Sequence, residues 1–497
     1  MPRTFVFAAV LSALILATLS APATAQVPEW ISQTGDGPGV TVGSVKTGVI
    51  ASRAFIASAD GRFVTFSIQG SISSMGSLYV RDRWLGETEL ISVSPDGQDG
   101  DYLSQRGTIS ADGRFVVFQS GAGNLVDDDD NSQWDVFIRD RQLGTTELIS
   151  RSLGGGGSAS GGSLLMTASR DAEVIVFSSY ATDLVDADPG VPGPELYAYN
   201  RRTGEITMLT LGYDGAGQGV HTFSPFTEIS DDGRRVVFLA IGDRVVPGDN
   251  NGHYDIFVHD FETGVTSLVS RTPEGRSGQR LAMVPNISAD GRYAFFNSLG
   301  GDYVAGDTNE DWDIFRLDLD TGEMRIVTTD ARGGPAGGYA PSPYGPYAAS
   351  VDAGGRRVVF TTWLPLDPRD RDDHDDIYVK DMDTGRVFWI STEDIAPADT
   401  ATFLMRPELD PSGRFLFFTG PFDGPAAGQV FVQNLNTGHR RLLSRMGGEP
   451  GDGVSFLAIP HLSSREVFIL GTAPLSADDD DDDSDLYAVE LPPRRNR

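Results

Sequence analysis

Short apolar runs separated by turn residues recur along the chain, and residues 109–150 show the repeating unit in full. The turn sequence Ser-Ala-Asp-Gly-Arg at 110–114 precedes an apolar run at 115–118. An acidic loop leads to a second run at 135–140, and a Leu-Gly turn precedes a third at 147–150. Each run is too short for a helix and is bounded by turn residues, so each predicts a β-strand. Asp-Gly between two apolar runs predicts a hairpin, because glycine tolerates a positive φ.

This unit can be placed eight times along the chain. Its central turn positions are Asp60, Asp112, Asp171, Asp232, Asp290, Gly354, Ser412 and Ser464. Its third strands begin at Leu78, Asp135, Glu195, Asp255, Asp313, Asp376, Gln429 and Asp485. Four antiparallel strands that repeat every ~50–60 residues predict the blades of a β-propeller.

A fourth strand follows only seven of the eight copies. Residues 30–32, Trp-Ile-Ser, match the missing strand. A ring of blades must close, because an open edge strand exposes unpaired backbone groups. We therefore predict an all-β, eight-bladed β-propeller of four-stranded antiparallel blades, closed by the N-terminal strand joining the C-terminal blade. Seven blades is the alternative, if the degenerate last copy at 463–470 forms none.

The first residues have the pattern of an export signal. Arg3 precedes the apolar run 5–19, and Ala-Thr-Ala at 23–25 is a small-x-small cleavage site. A retained anchor is the alternative, although its apolar core is shorter than the ~20 residues that span a bilayer. The chain has no cysteine, so disulfides do not stabilise it. We expect a signal peptide (1–25), one propeller domain (26–491) and a C-terminal tail (492–497), in the periplasm or secreted.

The repeats resemble the TolB-type, WD40-like propeller repeats of the PD40 group. That signature is Ser-Pro-Asp-Gly-Lys/Arg, an apolar strand, Asp-Ile-Tyr-Val-x-Asp and a closing strand. The copies at Ser58, Ser110, Ser230 and Ser288 match it best, and the copy at Asp410 keeps the proline. The resemblance covers nearly all of the mature chain. It implies the propeller fold, on which many different activities occur.

An arginine follows most Asp-Gly turns, and an aspartate closes most third strands. Antiparallel pairing of the second and third strands places these two ends side by side. The sequence therefore predicts five cross-strand ion pairs: Arg62 with Asp82, Arg114 with Asp140, Arg234 with Asp260, Arg292 with Asp318, and Arg356 with Asp381.

Five of the loops between second and third strands are acidic, with Asp, Asn, Gln or His at every second position. The sets are Asp129, Asn131, Gln133 and Asp135; Asp249, Asn251, His253 and Asp255; Asp307, Asn309, Asp311 and Asp313; Asp370, Asp372, His374 and Asp376; and Asp479, Asp481, Asp483 and Asp485. Alternating Asp and Asn oxygens in a tight turn are what Ca²⁺ requires, so Ca²⁺ is the one cofactor that we expect.

These loops depart from an EF-hand in two ways. An aromatic residue, such as Trp134, Tyr254 or Trp312, replaces the glycine at the sixth position, and no glutamate follows at the twelfth. The alternative interpretation is that Asp and Asn form Asx turns and keep long loops solvated. Both interpretations stay open. Loop 307–313 is the best candidate for Ca²⁺ on sequence alone, and the run 478–485 is the next.

Charge and missing motifs limit the function. The formal net charge is −31, which favours cations or basic protein surfaces over nucleic acid and anionic lipid. The sequence has no cysteine nucleophile, no Gly-x-Ser-x-Gly, no His-Glu-x-x-His and no phosphate loop. We expect an exported, non-catalytic scaffold, a monomer that binds an envelope or extracellular protein or glycan. A hydrolase or lyase with its active site in the axial funnel is the alternative.

Overall fold

The computed structural model describes most of the repeating part of the chain. It covers residues 29–31, 44–46, 56–69, 76–186, 188, 193–215, 227–309, 311–330, 333–334, 348–362, 364–371, 376–390, 405–420, 429–446, 449–450, 455–460, 466–471 and 485–491. The regular secondary structure of these residues is entirely β.

Eight four-stranded antiparallel sheets form the blades, which we number 1 to 8, with strands β1 to β34 in chain order. The N-terminal strand is β1 (Glu29–Trp30). Blades 1 and 2 consist of β2 (Ser44–Lys46), β3 (Phe63–Gln69), β4 (Ser77–Asp82), β5 (Glu87–Leu90), β6 (Ser104–Ile109), β7 (Phe115–Ser120), β8 (Asp135–Asp140) and β9 (Thr145–Leu148). Blades 3 and 4 consist of β10 (Ser163–Ala168), β11 (Val174–Ser179), β12 (Glu195–Asn200), β13 (Glu205–Met208), β14 (Thr227–Ile229), β15 (Arg235–Ile241), β16 (Tyr254–Asp260) and β17 (Val265–Leu268).

The second half of the chain repeats this arrangement. Blades 5 and 6 consist of β18 (Ala282–Ile287), β19 (Tyr293–Ser298), β20 (Asp313–Asp318), β21 (Met324–Ile326), β22 (Ala348–Val351), β23 (Arg357–Thr362), β24 (Asp376–Asp381) and β25 (Val387–Ile390). Blade 7 and a two-stranded hairpin after it consist of β26 (Met405–Leu409), β27 (Phe415–Thr419), β28 (Val430–Asn434), β29 (Arg440–Leu442), β30 (Arg445–Met446) and β31 (Glu449–Pro450). Blade 8 combines β1 with β32 (Ser455–Pro460), β33 (Glu466–Gly471) and β34 (Asp485–Glu490).

The N-terminal strand completes the C-terminal blade, as predicted. Trp30 pairs with Tyr487 in antiparallel register, and the Ile31 N–H donates to the Leu486 carbonyl at 2.8 Å. The strand itself is Glu29–Trp30, one residue earlier than the sequence match indicates. Eight blades are therefore present, and the seven-bladed alternative is wrong.

Buried side chains fill the spaces between neighbouring blades. Because each blade is covered on both sides, the second strands are apolar on both faces, as in β7. Each pair of neighbouring blades shares one apolar cluster. The cluster that joins blade 8 to blade 1 contains Ile31 and Phe468 packed with Val64 and Phe66. This packing brings the two ends of the chain together.

The hairpin turns and the long loops lie on opposite faces. On the first, which we call the hairpin face, the turns between first and second strands bond to one another across blades. The Ala59 N–H donates to Ala111 at 2.8 Å, and the Ala111 N–H donates to Arg170 at 2.7 Å. On the second, the loop face, connectors between blades bond to the acidic loops; the Ser277 N–H donates to Gly248 at 3.1 Å.

All five predicted ion pairs form on the hairpin face. Their shortest N···O distances are 2.6 Å for Arg62–Asp82, 2.6 Å for Arg114–Asp140, 3.1 Å for Arg234–Asp260, 2.8 Å for Arg292–Asp318 and 2.8 Å for Arg356–Asp381. The aspartates also cap the turn after the third strand. Asp82, for example, accepts the N–H of Trp84 at 3.0 Å.

The predicted signal peptide and tail lie outside the described residues. Those two assignments, and the treatment of 26–491 as one domain, stay predictions. Among the described residues we find no helix with the length and apolar character needed to cross a bilayer.

Candidate cation-binding loops

In blades 2, 4 and 5 the aspartate that opens the third strand is held by a hydroxyl from the end of the fourth strand. Asp135 is fully buried and accepts a hydrogen bond from Ser150 Oγ at 2.6 Å. The hydroxyl oxygen in turn accepts the Val136 N–H at 3.0 Å. The same acid–hydroxyl bond joins Asp255 to Ser270, Asp313 to Thr328 and Glu195 to Thr210. In blade 7 a neutral amide, Gln429, takes the acid's place and accepts from Ser444 at 2.6 Å. This position therefore has a structural role that needs no charge.

The asparagine of each fully or largely described loop forms an Asx turn. The side-chain oxygens of Asn131, Asn251 and Asn309 accept the N–H two residues ahead at 2.6, 2.7 and 3.0 Å; the donors are Gln133, His253 and Asp311. This is the geometry that the structural alternative predicts. The amide nitrogens differ in their acceptors. Asn251 and Asn309 donate to the second oxygen of the strand-opening aspartate, at 2.7 and 3.0 Å, whereas Asn131 donates to the Ala159 carbonyl.

The first aspartate of the loop is the least satisfied group. Asp249 is only 4% exposed, and neither of its carboxylate oxygens has a hydrogen-bond partner. In blade 5, Asp307 is 8% exposed and its Oδ1 has no partner. Asp129 in blade 2 is half-buried. A buried carboxylate without partners is costly, because it loses its hydration and gains nothing in return.

Burial raises the pKa of the first and of the strand-opening aspartate in the loops of blades 2, 4 and 5. The effect brings the pKa of Asp135 and of Asp313 to about 7, with nearby aspartates adding to it. It also raises the pKa of Asp129 and Asp307. Burial also raises the pKa of Asp249 and of Asp255; the charge of Asp243 adds to the effect on Asp249, and the charge of Asp249 adds to the effect on Asp255. These loops therefore favour a bound proton or a bound cation over a free charge.

Two of the predicted loops fall mainly outside the described residues. Asp372 lies there, as do Asp479, Asp481 and Asp483. Asp485 begins β34. The described members of the blade 6 loop both accept hydrogen bonds: Asp370 from the Tyr378 hydroxyl, and Asp376 from Trp389 Nε1 at 2.6 Å. In the described part of the chain, no three His, Asp or Glu side chains gather closely enough to hold a metal by themselves.

In blades 3 and 6 a tyrosine in the third strand gives the loop acid a hydrogen bond, and we did not predict this. Tyr197 donates to Asp188 at 2.7 Å in blade 3, as Tyr378 does to Asp370 in blade 6. Burial and the neighbouring carboxylate raise the pKa of both tyrosines. Blades 2, 4 and 5 have phenylalanine at this position: Phe137, Phe257 and Phe315. The signal in the sequence is the change from Phe to Tyr, as between DIFVHD and DIYVKD.

The histidines show no convergent arrangement among the described residues. His259 is buried within blade 4, where Nδ1 lies 2.9 Å from the Thr266 hydroxyl and the ring contacts Phe261 edge-on. His253 and His439 are exposed loop residues. His221, His374 and His461 lie outside the described residues.

No family model matches the chain, and no curated protein matches it. Several solved structures are similar in fold. Dipeptidyl peptidase 4 from Porphyromonas gingivalis is 11% identical, with a TM-score of 0.52 over 88% of this chain and 59% of that one. Oligogalacturonate lyase from Vibrio parahaemolyticus is 15% identical, with a TM-score of 0.42 over 83% of this chain and 91% of that one. TolB from Acinetobacter baumannii is 15% identical, with a TM-score of 0.32 over 77% and 80%. At these identities the similarity shows the fold alone. The chain is an eight-bladed β-propeller, and TolB is among the structures that it resembles.

Proposed function

We propose that this propeller is an exported, non-catalytic scaffold that binds an envelope or extracellular partner through its loop face. The observation that supports this most is the distribution of acidic groups. On the hairpin face the strand-closing aspartates have arginine partners, as in Arg114–Asp140. On the loop face the exposed Asp101, Asp127, Asp128 and Asp130 take part in none of the ion pairs of the described residues. The loop face of blade 2 therefore carries exposed negative charge that no arginine or lysine of the described residues neutralises.

Exposed aromatic rings lie within this acidic region. Tyr102 is 51% exposed, and its ring meets that of Trp134 edge-on with 6.3 Å between centroids. Asp101 directly precedes Tyr102, and its negative charge contributes to the raised pKa of Asp129. Tyrosine and tryptophan are the usual anchors of protein interfaces, and unpaired carboxylates favour a basic partner. We infer a basic protein surface as the first candidate; a glycan is the second, because aromatic rings and carboxylates also suit stacking and hydroxyl contacts.

The test is a binding assay with variants of the two faces. The mature chain, immobilised, is exposed to envelope extract and to a purified cationic protein, and bound material is eluted with rising salt. We expect Tyr102→Ala combined with Asp127→Asn and Asp128→Asn to lose the salt-sensitive binding. The control is Trp84→Ala, which removes a ring that is 68% exposed on the hairpin face. Equal binding by both variants would contradict the proposal.

The enzymatic alternative requires acids or histidines that converge at the axis. The described carboxyl groups with raised pKa instead bond within their own blades, as Asp135 does with Ser150 and Asp313 with Thr328. This supports the scaffold over a hydrolase or lyase. Turnover of a polysaccharide or peptide by the purified chain would favour the alternative.

A further inference from the structure

The loop of blade 4 contains a carboxylate that the protein itself does not satisfy. Asp249 is 96% buried, by its 4% exposure, and both of its oxygens lack hydrogen-bond partners. Asp249 and Asp255 belong to the same loop, and the Asn251 amide between them donates to Asp255 Oδ2 at 2.7 Å. None of the ion pairs among the described residues includes either acid. A third acid, Asp243, accepts the N–H of Gly252 in this loop at 2.7 Å. The protein thus places two carboxylates together without a cation of its own.

The second acid already has both oxygens in use. Asp255 Oδ1 accepts from Ser270 at 2.5 Å, and Oδ2 accepts from the Asn251 amide at 2.7 Å. These bonds fix the position of Asp255 and leave Asp249 as the open side of the site. Because the charges lose their hydration, burying two interacting carboxylates costs on the order of several kcal/mol per ion. A bound proton or cation can compensate for this cost.

In blade 6 the equivalent acid receives a hydrogen bond from a side chain of the protein itself. Asp370 and Asp249 both lie six residues before the strand-opening aspartate, and Asp370 receives the Tyr378 hydroxyl. Blade 4 has Phe257 at that strand position. A tyrosine in place of Phe257 would offer Asp249 a hydroxyl donor, but blade 4 has phenylalanine there.

We propose that blade 4 binds one Ca²⁺ ion through Asp249 and Asp255, with the Asn251 amide group beside it. The ligands that Asp249 and Asp255 supply are carboxylate oxygens, which suit a hard cation and not a soft one. Ca²⁺ usually takes six to eight ligands, and these side chains supply fewer. Main-chain or water oxygens are therefore needed to complete the site. The loop of blade 5 is the next candidate, because Asp307 has one unpartnered oxygen and not two. We thus rank the loop of blade 4 ahead of loop 307–313, which is the best candidate on sequence alone.

Two variants and a control test the site by calorimetric titration of the whole mature chain with Ca²⁺, after treatment with a chelator. Asp249→Asn removes the open carboxylate. Phe257→Tyr keeps every charge but supplies the hydroxyl that blade 6 uses. Glu274→Gln removes an exposed acid from the neighbouring connector. We expect the first two variants to bind one Ca²⁺ fewer than wild type and Glu274→Gln to bind the same number. Mg²⁺ should compete poorly, because it demands a stricter geometry.

Thermal unfolding separates a metal site from a structural acid. Saturating Ca²⁺ should raise the melting temperature of wild type by about 2–5 °C, since a ligand that binds only the folded state stabilises it. Without Ca²⁺, Asp249→Asn should melt at the same temperature as wild type or higher, because it removes an unpaired buried charge. No heat and no rise in melting temperature with wild type would overturn the proposal. So would unchanged stoichiometry in both variants, or a lower melting temperature of Ca²⁺-free Asp249→Asn. The Ca²⁺ site does not depend on the proposed partner. A chain that binds Ca²⁺ but no partner would contradict the proposed function and still support the Ca²⁺ site.

Discussion

Arg83 and Glu466 form an ion pair of 2.9 Å across 383 positions of the sequence. Arg83 directly follows β4 in blade 1, and Glu466 begins β33 in blade 8. The same guanidinium contacts Glu29 of β1 at 2.6 Å and the Gly61 carbonyl at 2.7 Å. Burial opposes its charge, yet these partners keep the pKa of Arg83 above its ordinary value. One side chain therefore ties blade 1 to both chain ends in blade 8.

Replacing Arg83 should weaken the junction between the first and last blades. Arg83→Met keeps the apolar stem but leaves the Glu466 carboxylate, which is 16% exposed, without its partner. We expect a loss of about 1–3 kcal/mol in the free energy of unfolding, the usual cost of leaving a largely buried polar group unpaired. Urea unfolding measures it. The control is Arg202→Met, whose contact with Glu173 is long and exposed at 3.9 Å; it should change stability by less than about 0.5 kcal/mol. Equal losses in the two variants would contradict the role of Arg83.

The hydroxyl at the end of the fourth strand should matter more where its partner is an acid. Oδ2 of Asp135 has no hydrogen-bond partner, and Oδ1 accepts from Ser150. Ser150→Ala therefore removes the one hydrogen bond that this carboxylate accepts. Ser444→Ala removes the equivalent bond to the neutral Gln429. Both hydroxyls also accept one N–H at 3.0 Å, so that loss is common to the two variants.

We therefore expect Ser150→Ala to lose about 1–3 kcal/mol of stability and Ser444→Ala to lose less, since unpaired charged groups cost more than neutral ones. Denaturant unfolding of both variants, in the presence of a chelator, gives the comparison. A larger loss for Ser444→Ala would show that the charge of Asp135 is satisfied in some other way.

The repeat predicted those features that depend on residues within one hairpin. The ion pair Arg62–Asp82 joins neighbouring strands in a fixed register, so the spacing alone was enough to place it. The partners of Arg83 could not be predicted in this way. They lie in another blade, and their distance depends on how the ring closes.

The acidic loops also have some features that follow from local sequence and others that depend on another strand. The Asx turns follow from local sequence, and their geometry was predicted as the structural alternative. Whether the first aspartate has a partner depends on the third strand, where Tyr378 satisfies Asp370 but Phe257 offers nothing to Asp249. Loops of similar sequence therefore differ in chemistry. Comparing each loop with the strand that follows it would have revealed the difference.

Close packing of the hairpin turns should make one turn glycine far less replaceable than another. Gly113 and Gly144 both have a positive φ, +73° and +67°. A Cβ on Gly113 would lie 2.2 Å from Cδ2 of Phe63 in the preceding blade, whereas a Cβ on Gly144 would meet nothing within 4 Å.

Gly144→Ala should therefore cost only the strain of the left-handed backbone, about 1–2 kcal/mol. Gly113→Ala should cost a further 1–3 kcal/mol or so, because Phe63 must move within a packed interface. Thermal or urea unfolding measures the difference. Equal destabilisation would show that the turn of blade 2 can shift away from Phe63.

Burial of His259 should make stability depend on pH. Burial lowers the pKa of this ring below its ordinary value, although Asp260 opposes the effect. Between the lowered pKa and about 6.5 the unfolded chain binds a proton that the folded chain does not. The contribution of the neutral ring is therefore complete above about pH 6.5 and is lost as the pH falls. His259→Gln removes this titration, and blade 7 has Gln433 at the same strand position.

The measurement is the free energy of unfolding of wild type and His259→Gln at about pH 7.5 and about pH 5.5, with a chelator present. Taking the difference between the two proteins removes the many carboxyl groups that titrate in both. Wild type should lose stability relative to the variant at the lower pH, because only wild type must keep a ring neutral against the rising proton concentration. The Thr266 hydroxyl, 2.9 Å from Nδ1, can bond to either side chain. Parallel curves would mean that the buried ring accepts a proton as readily as a solvated one.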